Sequence, residues 1–204
     1  MPTVLVDGKS AALRTGVRLE LFTVAWMVAE AALAIAAGIV ARSVLLTGFG
    51  FDSVIELISG VTLLWRLSSR ATHTEVVERR ATLISAVLLV LLCAYLLFFG
   101  LGGLVVGLRP EGSVLGVLVA AAAVLVMPIL AWRKRRANAI IDSAALRADI
   151  AETITCAYMA AATLVGAALN LVAGWWWAEY VAALALLVFV VMETREAIEA
   201  ARET

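Results

Sequence analysis

Long apolar stretches separated by short polar connections set the plan of this chain. Six runs can be drawn, at about 19–40, 44–66, 81–107, 114–132, 145–172 and 177–193. Each reaches the length, roughly 17–25 residues, that lets an α-helix cross the hydrocarbon of a bilayer. A lipid-exposed chain must satisfy its backbone polar groups internally, which favours helices. The pattern therefore predicts an all-α integral membrane fold of six transmembrane helices. Ala41-Arg42-Ser43 reads as a tight turn, and LSSRATHTEVVERR as a polar loop after the second run. Leu108-Arg109-Pro110-Glu111-Gly112 separates runs three and four, and Gly174 punctuates runs five and six. The basic segment RKRRANA reads as the start of a loop between runs four and five, and the residues after Glu193 as a charged helical extension.

The second run, Val44–Leu67, breaks its own rule by carrying Asp52 and Glu56. Positions i and i+4 share one helix face, so both carboxylates point the same way. An ionisable residue at membrane depth costs about 2.5–3.5 kcal/mol on insertion scales, so something must offset it. Glu30 in the first run and Glu152 in the fifth add two more acids, and no Lys, Arg or His is expected at comparable depth. These acids must then be protonated, wet or metal-bound, and a cation pathway provides all three conditions in turn. Cys156 stands one turn from Glu152. Asp52, Glu56, Glu152 and Cys156 together offer three oxygens and a sulfur, a set that suits Zn²⁺ or Cd²⁺ over Mg²⁺ or Ca²⁺. The alternative for Cys156 is a small apolar filler. Glu30 is a candidate for lining the pathway or supporting a ligand. Asp149 lies near the inner boundary, where a helix cap or a salt bridge to Arg147 or a loop arginine is expected. Asn170 reads as a helix–helix hydrogen bond, and His73, Glu75 and Glu78 as a loop cluster.

Composition agrees with a membrane domain: 64% of the 204 residues are hydrophobic and 16% charged. The formal net charge of zero points to no nucleic-acid partner. The two cysteines, Cys93 and Cys156, both lie in apolar runs and read as buried thiols, not a disulfide. Of the sixteen basic residues, all but Arg42 and Arg109 fall on one side of the six-run plan. By the positive-inside rule both termini are cytoplasmic. Trp175, Trp176, Trp177 and Tyr180 would then form an outer aromatic belt, with Trp65 and Trp132 at the inner boundary.

The second run, GFDSVIELISGVTLLWR, resembles the cation diffusion facilitator (cation efflux) family. In that family the second helix presents an acid or histidine, then three residues, then aspartate, and Asp52-Ser-Val-Ile-Glu56 matches the spacing with Glu as the second acid. The fifth helix of the family opens Ala-Asp and carries His-x-x-x-Asp three residues on. Ala148-Asp149 matches the opening, while Glu152 and Cys156 take the places of that His and Asp. The resemblance implies a transporter and not an enzyme: a proton-coupled exporter of Zn²⁺ or a similar ion (Cd²⁺, Co²⁺ or Mn²⁺), working by alternating access as a homodimer. It also implies a bacterial-type inner (plasma) membrane setting, in contact with lipid. The whole of 1–204 then reads as one membrane domain without the family's usual C-terminal cytoplasmic domain, the form of a truncated subset. Two rivals stand beside this one. A membrane protein that binds metal without transporting it, and modulates a partner, would share the same residues. An intramembrane aspartyl protease would need a Gly-x-Gly-Asp motif, and GFGFD has its Asp displaced by one residue with no second intramembrane Asp.

Overall fold

A computed structural model of the chain describes residues 2–68 and 74–203, with side chains over 13–65, 83–143 and 146–199. Among the described residues there is no strand; the chain forms six long helices. They are α1 (Pro2–Ala41), α2 (Val44–Ser68), α3, α4 (Val114–Ile141), α5 (Ala144–Ala173) and α6 (Trp176–Glu203). Helix α3 runs from Thr74–Tyr95 through a π-helical turn, Leu96–Leu101, into a last piece at Gly102–Val106.

The helix starts follow the serines. The hydroxyl oxygens of Ser43, Ser113 and Ser143 accept from the backbone N–H of Leu46, Gly116 and Leu146 at 3.1, 3.0 and 3.4 Å, relieving donors that have no partner inside a helix. Helix α5 stops at Gly174, whose φ of 67° is the left-handed turn that glycine adopts without strain. The α1–α2 and α4–α5 connections turn instead on Arg42 (φ 52°) and Asp142 (φ 53°).

Two boundaries differ from those the sequence suggests. Helix α1 begins near the N-terminus, well before residue 19. Helix α4 does not end at Trp132: it continues through Arg133-Lys134-Arg135-Arg136 to Ile141. Arg, Lys and Ala are strong helix formers, and the segment holds no glycine or proline to stop it. The buried residues Met127, Leu130, Ala131, Lys134, Ala137, Asn138 and Ile141 keep one inward stripe through the basic run.

Among the described residues, five helices are long and apolar enough to cross a membrane, with spans at Leu13–Ala41, Val44–Trp65, Leu83–Val106, Val114–Ile141 and Leu146–Ala173. Helix α6, the sixth run of the sequence, is not among them. Its apolar stretch is short, closed by Glu179 on one side and Glu193 on the other.

The helices close into a ring in the order α1, α4, α5, α6, α3, α2, and α2 reaches across it to touch α5 and α6. Helix α2 thus contacts four others, which is why the acids on it can face inward. The core is apolar and close-fitting around Phe49, Leu45, Met127, Met159 and Leu186. Glycines let helices meet closely, as small residues do at membrane helix interfaces. A Cβ on Gly50 would lie 2.9 Å from the backbone nitrogen of Ile35, so α1 and α2 touch there almost backbone to backbone. Gly103 leaves room for the ring of Tyr180. A Cβ on Gly102, or on Gly107 just past the end of α3, would meet no described atom within 4 Å.

Candidate metal centre

Asp52 and Glu56 are 1% and 6% exposed, and none of their four carboxylate oxygens has a nitrogen or oxygen hydrogen-bond partner, the Cys156 thiol being the group that bears on Glu56. Buried polar groups are normally satisfied, so two bare carboxylates one turn apart mark the centre of the site. Their i, i+4 spacing aims them into the ring, as their shared face requires. The fully buried thiol of Cys156, on α5, faces Glu56, Glu30 and Asp52.

Glu30 joins them from α1. It is 2% exposed. Ser53 Oγ donates to its Oε1 at 2.8 Å and Trp26 Nε1 donates to its Oε2 at 2.5 Å, while the Cys156 thiol lies 3.9 Å from Oε1. Two donors fix the carboxylate beside Asp52 and Glu56, and Ser53, the residue next to Asp52, supplies one of them.

Glu152 takes a different level. It accepts from Ser59 Oγ at 3.2 Å, and it feels Asp149, Lys134 and Glu20 on the basic side while bearing on Glu193 and Asp52 on the other. Cys156 bears on Glu56, and Glu152 stands one turn nearer the basic end of α5. Glu152 is still among the charges felt by Asp52, after Glu193 and Glu30. Among the described residues, no group of three His, Cys, Asp or Glu side chains is gathered tightly enough to hold a metal ion. The acids form a file along the inside of α1, α2 and α5.

Glu193 is the member that the sequence pattern left out. It reads as the charged end of the sixth run, yet one of its carboxylate oxygens is buried without a partner, and its charge bears on both Asp52 and Glu56. Ala183, Leu186 and Val190 are buried on α6, and extending their period by one more turn reaches Glu193. That signal was present in the sequence.

A buried base does enter the bundle, but it pairs with Glu20 and Asp149 at the basic end and not with Glu30, Asp52, Glu56 or Glu152. Lys134 is buried, and its ammonium sits 2.9 Å from Glu20 Oε2 and 2.7 Å from Asp149 Oδ2. Asp149 consequently neither caps α5, a role taken by Ser143, nor pairs with Arg147, which bonds Asp142 at 2.7 Å. The cause is the unbroken helix through 133–136, which turns Lys134 inward and leaves Arg133, Arg135 and Arg136 exposed. His73 and the side chains of Glu75 and Glu78 lie outside the described residues.

At the opposite end of the bundle, Glu179 is 1% exposed. It accepts from the Ser43 hydroxyl and, at 2.6 Å, from the Asn170 amide, which also donates to the Pro110 carbonyl at 3.1 Å. One carboxylate thus ties the α1–α2 turn, the α3–α4 connection and the α5–α6 corner. Arg109 lies over the ring of Trp176 at 5.8 Å, within cation–π range.

No curated protein matches the chain. The family model of the cation efflux transmembrane domain matches residues 21–203, a stretch that contains Glu30, Asp52, Glu56, Glu152, Cys156 and Glu193. With a ring of apolar helices around buried acids on the second and fifth, and a family match over nearly its full length, this chain belongs to the cation efflux family of multi-pass membrane transporters for divalent cations.

Proposed function

We propose that this protein exports a divalent cation, Zn²⁺ or a similar ion such as Cd²⁺, Co²⁺ or Mn²⁺, in exchange for protons. The observation that carries the reading is the pair of buried, unpartnered carboxylates of Asp52 and Glu56 beside the Cys156 thiol. Left ionised in a dry bundle, such groups are costly unless a cation or protons neutralise them. The ligands are Asp52, Glu56 and Cys156, with Glu152 joining from one turn away. Glu30 is held by Ser53 and Trp26 at their edge, and Glu193 supplies further negative potential.

The cycle follows from this chemistry. An ion arriving from the cytoplasm displaces protons from the carboxylates and the thiol, and binding draws the file of acids together around it. Metal and protons compete for the same atoms, so affinity rises with pH, and protons entering from outside favour release. The close carboxylates titrate as one set. Alternating access then consists of rocking the bundle about a midplane site built on facing helices. All six helices span the membrane in this scheme, with Glu179 and Glu193 kept out of the lipid by the bundle. Both termini are cytoplasmic, because the basic ends gather there. The protein works as a homodimer in a bacterial-type inner membrane, and 1–204 constitutes one transport domain.

Zn²⁺ flux into proteoliposomes under a pH gradient tests the proposal. Asp52→Ala and Glu152→Ala should each reduce flux at least tenfold. Unchanged flux in both would remove the site. Binding without flux in the native protein would favour a metal-binding membrane protein that modulates a partner.

A further inference from the structure

We propose that Glu20, Asp149 and Thr153 form a second cation site at the basic end of the bundle, which the ammonium of Lys134 fills in this structure and a divalent cation fills when Lys134 swings out. The inference rests on the transport reading for the identity of the ion and for its onward path.

Three oxygens converge on the Lys134 ammonium: Asp149 Oδ2 at 2.7 Å, Glu20 Oε2 at 2.9 Å and Thr153 Oγ1 at 3.5 Å. The side chains of Lys134, Glu20 and Asp149 are 1%, 0% and 9% exposed. This is the surrounding of a bound cation, and the cation happens to be tethered. The donor set also exceeds what the ammonium uses. Glu20 Oε1 is buried with no hydrogen-bond partner, and it rests where a Cβ on Gly60 would come within 2.9 Å. The glycine makes room for a carboxylate that has one oxygen to spare.

Charge favours exchange. An ammonium compensates one of the two carboxylates, whereas a divalent cation compensates both and displaces whatever proton the pair holds. Glu152 next door adds to the negative potential. The lysine's four-carbon stem lets its ammonium reach toward water from a buried base. Two carboxylates and a hydroxyl suit a partly hydrated divalent cation.

The position makes the site a station on the way to the centre. Asp149, Glu152 and Cys156 are spaced i, i+3 and i+7 along one face of α5. An ion leaving Glu20 and Asp149 would meet Glu152 and Ser59 next, then Glu56 and Cys156.

The chain has two lysines, Lys9 and Lys134, so amine acetylation read by mass spectrometry reports on Lys134 with Lys9 as reference. The full-length protein in nanodiscs, carrying Asp52→Asn and Glu56→Gln, is titrated with Zn²⁺ alone. One ion per chain should bind, and acetylation of Lys134 relative to Lys9 should rise at least fivefold at saturation. Adding Lys134→Gln should tighten binding at least tenfold, and adding Asp149→Asn instead should abolish it. Acetylation of Lys134 that ignores Zn²⁺ would overturn the proposal, as would Zn²⁺ binding that survives Asp149→Asn. Should either added variant fail to fold, the acetylation of Lys134 in the chain without further substitution still decides between the two outcomes. The transport site itself is judged separately, by flux, so the two readings can fail independently.

Discussion

The contact at Gly50 links packing to chemistry, and replacing it with alanine makes the link measurable. The added Cβ would stand 2.7 Å from Ile35 Cγ1, 2.9 Å from the Ile35 backbone nitrogen and 3.2 Å from Ala34 Cβ. A side-chain tip can turn aside, but the backbone nitrogen belongs to α1 and moves only with the helix. Ordinary carbon contacts lie near 3.5–4.0 Å, so α1 and α2 must part by about 0.6 Å or more. Overpacking of this kind costs about 1–3 kcal/mol. Three residues along α2, Ser53 donates to Glu30 at 2.8 Å. The same displacement stretches that bond beyond the 2.7–3.2 Å range of a good one and frees Glu30 from its place beside Asp52 and Glu56. Gly50→Ala should therefore lower unfolding free energy by about 1–3 kcal/mol and, by displacing a group that supports the ligands, weaken Zn²⁺ binding about ten- to a hundredfold. Denaturant-induced unfolding in detergent and Zn²⁺ titration of the folded protein read the two effects. A variant with native stability and native affinity would show that the close approach of α1 and α2 does not position the site.

Other outcomes follow from single contacts. Glu179→Ala removes the acceptor shared by Ser43 and Asn170; hydrogen bonds to charged groups contribute about 1.5–3 kcal/mol each. Asn170 keeps Pro110, so the net loss should be about 2–3 kcal/mol in the same unfolding measurement, and an unshifted midpoint would refute the tie. Cys156→Ser nearly preserves volume but replaces a soft donor with a hard one. The Cd²⁺ to Zn²⁺ affinity ratio should fall at least tenfold, whereas a constant ratio would assign the thiol to packing. Glu193→Gln keeps the shape and removes a charge felt by Asp52 and Glu56; divalent affinity should drop about tenfold by calorimetry, the scale of losses behind metal ligands. The exposed Glu196→Gln on the same helix should leave it unchanged.

Much of this architecture is written in the order of residues. Apolar runs of bilayer length in a medium without hydrogen-bonding solvent leave the helix as the favoured state, and the six runs do become six helices. The i, i+4 spacing of Asp52 and Glu56 fixes their common face for any environment of α2, because it depends only on the helical repeat. The family resemblance, too, lay in short local spacings on α2 and α5.

Tertiary structure decided what meets that face. A helical period gives a side chain its direction around its own axis, but not the neighbour it points at. Glu30 comes beside Asp52 because Gly50 lets α1 press against α2, and Glu193 because α6, between α5 and α3 in the ring, also touches α2. Lys134 shows the difference most plainly. In sequence it is one of four consecutive bases and reads as water-facing, yet the helix continues through all four, and a continuous helix cannot turn them all outward. The one on the inward stripe was buried, and the carboxylates of Glu20 and Asp149, brought in by two other helices, made that burial tolerable.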